Sequence, residues 1–130
     1  MYLTGFADEA GPSLDIQIRV TKALGWRNIE SRNVQVDDFP AGNIHDIPDA
    51  AFDRLAVKLE EAGVRINCFG STIGNWSQKI DEPFDRSLAE ARRSIPRMQK
   101  LGTKLVRIMS FAVRDGEDQM EAEQIGRAHV

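Results

Sequence analysis

Several residues suited to binding a small polar ligand stand at or just beyond the ends of short apolar segments. They are Asp8, Glu30, Ser71, Trp76, Arg107 and Ser110. In parallel α/β folds, binding and catalysis gather beyond the carboxyl ends of the strands. We therefore predict that these side chains line a site for a polyol or an anionic small molecule.

Glu30 and Arg107 are the most informative pair, because each interrupts an otherwise apolar strand. Burying either charge alone is costly. In a barrel, alternate strands contribute to the same interior layer, so the second and fourth strands can bring the two together. Two interpretations stay open: the pair lines a polyol or sugar-phosphate pocket, or it is a buried ion pair that fills the barrel and is neutral to stability.

The other candidates also have two interpretations each. Asp8 is a pocket group or a solvated loop residue. Ser71 and Ser110 donate hydrogen bonds to a ligand, or they cap the helices that follow. Trp76 forms a hydrophobic wall against a sugar ring, or it packs beneath its own loop.

His45 and Cys68 are assigned no chemistry. His45 lies in the long loop Val34–Ile47 without a second histidine in reach, so we predict a surface or loop-packing histidine and not a metal ligand. Cys68 lies inside an apolar strand with no neighbour to lower its pKa, and we predict that it belongs to the core.

The elements that must position these residues alternate between strand and helix. Predicted strands cover Tyr2–Phe6, Arg27–Ser31, Val64–Gly70 and Leu105–Met109. Gly25, Gly63 and Gly102 recur at nearly equal spacing, each at a predicted helix end and just before a strand. The repeated unit predicts an α/β fold with parallel strands.

The helices between these strands have recognisable ends. Ser13 is the predicted N-cap of the first, and Asp46 caps the second with Pro48 in its first turn. The third should be kinked or locally broken at Pro96, and its apolar face carries Phe84, Leu88, Ala91, Ile95 and Met98. A fourth helix is predicted from near Asp118.

Two architectures fit about four such units. One is an open doubly wound sheet, and the other is half of a (β/α)8 barrel, which in full takes ~250 residues. The first loop, Gly5 to Gly11, does not have the G-x-G-x-x-G spacing, and Gly70 to Gly74 lacks the Lys-Ser/Thr of a P-loop. Neither phosphate-binding motif of a doubly wound nucleotide binder is present.

Composition excludes several classes of protein. The 130 residues carry a formal net charge of −3, which argues against a nucleic-acid partner. No apolar run approaches the ~20 residues of a membrane span. The N-terminus does not resemble a secretion signal, and the single cysteine fits a reducing compartment, so we predict a cytoplasmic protein without membrane partners.

Four motifs in order resemble bacterial sugar phosphate isomerase/epimerase proteins of the xylose isomerase-like TIM-barrel superfamily. The motifs are Gly5-Phe6-Ala7-Asp8-Glu9-Ala10-Gly11, Leu24-Gly25-Trp26 with Ile29-Glu30, Cys68-Phe69-Gly70-Ser71-Thr72-Ile73-Gly74-Asn75-Trp76 and Leu105-Val106-Arg107-Ile108-Met109-Ser110. The resemblance implies a (β/α)8 barrel in which Glu30 lies in the pocket, with Arg107 and Ser71 at pocket-side positions. It implies isomerisation or epimerisation of a sugar or sugar phosphate through an enediolate, with a divalent metal (Mn, Mg or Co) assisting the proton transfer.

In that family the metal ligands come from strands five to eight, so we expect no metal site in this chain itself. The superfamily also has a DNA-repair branch with zinc-binding histidines on strands three and four. Ser71 and Ser110 stand at those positions here, which argues against a nuclease.

The organisation expected from this resemblance is an N-terminal half barrel over residues 1–124. Residues 125–130 read as the translation of a sequencing adapter and are expected to be a non-native tail, so His129 carries no role. A half barrel would be inactive and would self-associate through its exposed strand edges. The alternative function is a non-catalytic α/β domain that binds a small ligand at the strand ends.

Overall fold

The computed structural model describes residues 1–112. Its strands are β1 (Asn28–Ser31), β2 (Asn33–Val34), β3 (Gly42–Asn43), β4 (Arg65–Gly70) and β5 (Leu105–Arg107). Its helices are α1 (Leu14–Ala23), α2 (Asp49–Ala62) and α3 (Asp85–Leu101), preceded by a 3-10 helix at Ala7–Glu9. The helix predicted near Asp118 and the tail at 125–130 lie outside the described residues.

The main sheet is parallel, with its strands in the order β1-β4-β5. This confirms the predicted α/β alternation and the second, third and fourth predicted strands. The first, Tyr2–Phe6, is not a strand: one parallel bridge joins Phe6 to Glu30, and the Glu30 N–H donates to the Gly5 carbonyl at 2.9 Å. Tyr2 and Leu3 are exposed, so no burial of their side chains stabilises a longer strand pairing between this segment and β1.

One face of the sheet packs against the helices. Ile29 of β1 and Ile66 and Phe69 of β4 are buried there, in a single core that also contains Leu14 of α1 and Leu55 of α2. Met98 and Leu101 of α3 pack against the same core. The register then sends Glu30, Cys68 and Leu105, which lie opposite one another, to the other face. We call this second face the inner face.

The inner face is open. Leu105 is 57% exposed, and Cys68 and Glu30 are only partly buried. The expectation that Cys68 belongs to the core is therefore wrong. The pairing of β1 with β4 is irregular between Ile29 and Glu30, and Cys68, opposite Glu30, lies on the inner face away from the helices.

The helix ends agree in part with the predictions. Gly25, Gly63 and Gly102 all have positive φ, as left-handed helix ends require. Ser13 is the N-cap residue of α1, but its side chain makes no capping bond. Asp46 does not cap α2, which begins only at Asp49 after Pro48.

Helix α3 agrees with its prediction only in part. It is not broken at Pro96 but continues through this exposed residue, so that the carbonyl left without its N–H partner can be solvated. Its buried residues are Ser87, Glu90 and Ser94. Of the predicted apolar face, Met98 packs against the core and Ala91 is partly buried, whereas Phe84, Leu88 and Ile95 are exposed by 57%, 38% and 53%. The apolar residues of α3 recur at helical spacing, but this spacing does not determine which other element packs against them.

The loop between β3 and α2 is fixed by Arg97 of α3. Its guanidinium donates to the carbonyls of Ile44 and Ile47 at 2.9 and 2.6 Å and lies 4.9 Å from the centre of the Phe52 ring. Asn43 fastens β3 to the sheet by donating to the Gly70 carbonyl at 2.9 Å. These contacts hold the end of β4 in place.

None of the helices in residues 1–112 combines the length and the apolarity that a membrane crossing would need.

Candidate functional site

The carboxyl ends of β1, β4 and β5 place two arginines around one aromatic ring on the inner face. Arg107 lies opposite Gly70 in the sheet, and a side chain at Gly70 would overlap the Arg32 side chain. The Arg32 guanidinium carbon lies 4.2 Å from the centre of the Phe6 ring, and that of Arg107 lies 5.4 Å from it. Glycine at position 70 therefore leaves the space in which Arg32 crosses the end of β4.

Arg32 is neutralised by two carboxylates. Asp8 accepts from its Nε at 2.9 and 3.0 Å, and Glu9 accepts from an amino group at 2.6 Å. The pKa of Arg32 is raised, first by the hydrogen bond to Asp8. This ion pair ties the first loop to the end of β1, and it makes Asp8 a partner of Arg32 as well as a residue at the site.

Arg107 and Ser71 hold each other through backbone groups. An Arg107 amino group donates to the Ser71 carbonyl at 3.0 Å, and the Ser71 hydroxyl donates to the Arg107 carbonyl at 2.6 Å. Ser71 is fully buried, so its hydroxyl positions Arg107 and is not directed at a ligand. The Arg107 Nε is buried and has no hydrogen-bond partner within residues 1–112.

Glu30 shares the inner face with Arg107 but does not contact it. Strand β4 lies between their two strands, and Glu30 is directly opposite Cys68. No ion pair joins them in the described part of the chain, so the interpretation of a buried ion pair is wrong. The pKa of the Cys68 thiol is raised by burial and, second, by the charge of Glu30.

Trp76 and Ser110 lie at the same end of the sheet on exposed loops. Trp76 is 70% exposed, so it does not pack beneath its own loop as the alternative prediction required. Ser110 is also exposed. The structure thus links Asp8 to Arg32, which shares the Phe6 ring with Arg107, and leaves Trp76 and Ser110 on exposed loops.

The loops after β4 and β5 are joined at Gly74. The Met109 N–H donates to the Ile73 carbonyl at 2.9 Å, and Gly74 has φ +70° with the Met109 carbonyl directly against it. The absence of a side chain at Gly74 is what permits this approach.

His45 is buried, and the prediction of a surface histidine is wrong. Its Nε2 lies 3.0 Å from the Thr72 hydroxyl, which donates to Glu90 at 3.1 Å. His45 and Glu90 are 0% and 4% exposed. This chain of polar groups links the β3–α2 loop, the end of β4 and α3. The alternative of loop packing, left open by the sequence, describes it correctly.

Acid should weaken the fold through His45. Burial lowers its pKa; Asp46 and Glu90 oppose this, while Arg93 and Arg97 add to it. Between the ordinary pKa of ~6.5 and the lower folded value, the unfolded chain binds a proton that the folded chain does not. We therefore expect the free energy of unfolding to fall from pH 7 to pH 5, and to fall less in His45→Gln.

The measurement is urea unfolding of both proteins at each pH. Carboxylates titrate in both proteins, so only the difference between their changes of unfolding free energy with pH reports on His45. If the unfolding free energy changed equally with pH in both proteins, burial would not disfavour protonation of His45.

Within residues 1–112, no group of three or more histidine, cysteine, aspartate or glutamate side chains could hold a metal ion. No protein-family model matches the chain, and no curated protein matches it either.

Sequence reasoning missed Phe6 and the partners of His45 as parts of this region, and it gave Arg32 no role. Arg32 could have been found, because it lies two residues after Glu30 and so shares its face of an extended strand. Phe6 reads only as the end of an apolar segment, and nothing near His45 in the sequence indicates Thr72 or Glu90.

Proposed function

We propose that this chain is the first half of a (β/α)8 barrel. Two observations support the proposal. The parallel strands follow their chain order across the sheet, whereas an open doubly wound sheet has a point where that order reverses. The packed helices share one core on one face, and the inner face carries polar residues as a barrel interior does near its active site.

We further propose that the whole protein is a sugar or sugar-phosphate isomerase or epimerase. The observation that carries this is the pair Arg32 and Arg107 around Phe6 at the carboxyl ends of the strands, with Asp8 bound to Arg32 and Glu30 on the same face. Charged groups can hydrogen-bond substrate hydroxyls or a phosphate, and an aromatic ring can pack against the carbon skeleton of a sugar.

The metal that such a reaction employs is not accommodated by the described residues, as no suitable group of ligands exists among them. The part of the chain described here would bind and orient the substrate, with Arg107 held by Ser71 and the first loop held by the Asp8–Arg32 ion pair.

A non-catalytic small-ligand-binding domain is the second candidate. The observation in its favour concerns the acidic side chains of the described site. Asp8 and Glu9 form ion pairs with Arg32, and Glu30 forms no ion pair with either arginine in residues 1–112. General acid–base catalysis needs a group within hydrogen-bond reach of the reacting proton.

Hydrogen exchange into substrate separates the two. The gene is read in its source DNA past codon 130, and the product of the complete reading frame is incubated in D₂O with Mn²⁺ and a panel of sugars and sugar phosphates. Proton NMR should show deuterium entering beside the carbonyl carbon, and chelation should stop it. The 130-residue chain is the matched control and should bind ligand without exchange. Ligand binding without exchange by both proteins would support the second candidate.

A further inference from the structure

We propose that His45, Thr72 and Glu90 form a proton-operated clamp on the loop after β4, so that mild acid releases this loop at the carboxyl end of the sheet. The loop consists of residues 71–84 and carries the exposed Trp76. The clamp belongs to the fold of this chain and does not depend on the proposed function.

The hydrogen bonds of the clamp place the imidazole proton on Nε2 of His45. As a carboxylate, Glu90 can only accept, so the Thr72 hydroxyl donates to it at 3.1 Å and the hydroxyl oxygen is left to accept. His45 Nε2 lies 3.0 Å from that oxygen and is therefore the donor. With the proton on Nδ1 instead, a lone pair of Nε2 would face the oxygen, and the Thr72 N–H at 3.5 Å would be the remaining partner.

The other ring nitrogen is the place at which a second proton enters. Nδ1 of His45 is buried and has no hydrogen-bond partner in residues 1–112. The nearest carboxylate oxygen of Asp46 lies 3.9 Å from it, beyond hydrogen-bond reach. The imidazole side chain is 0% exposed, so its protonation with the clamp closed would create a buried charge without a direct partner.

Charged side chains of the β3–α2 loop and of α3 face the imidazole. Burial lowers the imidazole pKa most strongly; Asp46 and Glu90 raise it, and Arg93 and Arg97 lower it. Both carboxylates have arginines beside them, because Arg93 lies 3.0 Å from Asp46 and Arg86 lies 3.7 Å from Glu90. Their negative charge is therefore partly compensated before the imidazole takes up a proton.

The loop after β4 is the side of the clamp that opens. The segment that carries His45 is fixed to β4 and α3 through backbone carbonyls. The loop is held to α3 by side chains, through the Thr72–Glu90 bond and through Ser87, which donates to Gln78 at 2.9 Å. From residue 75 to residue 82, the backbone hydrogen bonds described stay inside the loop. It is thus the less firmly attached side, and its opening admits the water that a charged imidazole needs.

The pH at which the clamp opens follows from the direction of the pKa change. With the loop closed, the pKa of His45 lies below its ordinary value of ~6.5, and with the loop open and the ring in water it returns to that value. The open form therefore binds a proton that the closed form does not, and acid favours opening as the pH falls below ~6.5. Each unit of difference in pKa permits about a tenfold shift of the equilibrium.

Amide hydrogen exchange of the ¹⁵N-labelled 130-residue chain, followed by NMR at pH 7 and pH 5, tests the clamp. Protection factors, from which the intrinsic pH dependence of exchange has been removed, are measured for Asn75 and Gln78 in the loop and for Leu55 and Leu59 in α2. We expect the loop amides to be less protected than the α2 amides at both pH values, as local opening requires. Their protection should fall at least about threefold at pH 5.

Three variants complete the test. His45→Gln keeps a donor near the Nε2 position but does not titrate, so its loop protection should not fall with acid. Thr72→Val removes the hydroxyl between His45 and Glu90 and should lower loop protection about tenfold at pH 7. Thr103→Val is the matched control, because it removes another buried hydroxyl, which donates to the Ile66 carbonyl at 2.6 Å, and should change loop protection less than about twofold.

The same loss of loop protection at pH 5 in His45→Gln would overturn the inference, because other groups and not the imidazole would then release the loop. Loop amides as strongly protected as those of α2 would also overturn it, since the loop would open only with the whole fold. So would a long-range ¹H–¹⁵N spectrum at pH 7 that places the His45 proton on Nδ1, the signal being assigned by its loss in His45→Gln. Should Thr72→Val not fold, His45→Gln and the imidazole spectrum decide.

Discussion

Replacing Gly74 by alanine is expected to destabilise the chain by at least about 2 kcal/mol. Two costs add. A residue with a Cβ at φ +70° costs about 1–2 kcal/mol in the left-handed region. In addition, the new methyl group would overlap the carbonyl oxygen of Met109, which is backbone and cannot rotate away. The hydrogen bond between Met109 and Ile73 would be lost with the displacement.

Gly63→Ala is the matched control for this prediction. Gly63 has nearly the same φ, +68°, but nothing lies within 4 Å of the position its Cβ would take. It should show the conformational cost without the overlap. Urea unfolding of both variants measures the difference, and equal losses of free energy would mean that the loops after β4 and β5 do not meet at Gly74.

Replacing Arg97 by alanine is expected to cost about 2–4 kcal/mol. The side chain is 12% exposed and satisfies the carbonyls of Ile44 and Ile47, two residues that are themselves buried. Hydrogen bonds from charged groups contribute about 1.5–3 kcal/mol each, and a buried carbonyl left alone costs its desolvation energy. Packing over the Phe52 ring is lost as well.

Two further variants separate these contributions. Asp49→Ala removes only the ion pair of Arg97 with a carboxylate that is 98% exposed, and should cost less than about 1 kcal/mol. Arg97→Lys keeps the charge but loses the planar fork, so it should recover only part of the loss. If Asp49→Ala proved as damaging as Arg97→Ala, the ion pair and not the buried carbonyls would anchor the loop.

The sequence could predict position in the fold but not contacts. Arg107 was chosen because polar residues at the carboxyl ends of parallel strands are brought to one edge of the sheet, and it does lie at the end of β5. Asp8 was chosen for the same reason, although the segment before it forms only one bridge and no strand. The pairing of Asp8 with Arg32 could not be predicted, because it joins a loop to the end of β1 and depends on the path of that loop. Ser71 was chosen as a donor to ligand, yet its hydroxyl is taken by the Arg107 carbonyl.

The sequence by itself determined the alternation of strands and helices and the glycines that end the helices. These features depend on side-chain period and on backbone conformation, both of which act within a few residues. Three things were decided only by tertiary structure: the exposure of most of the apolar stripe of α3, the partners of the buried His45 and the separation of Glu30 from Arg107. Each depends on which elements become neighbours and in what register, and that follows from packing the whole sheet against its helices.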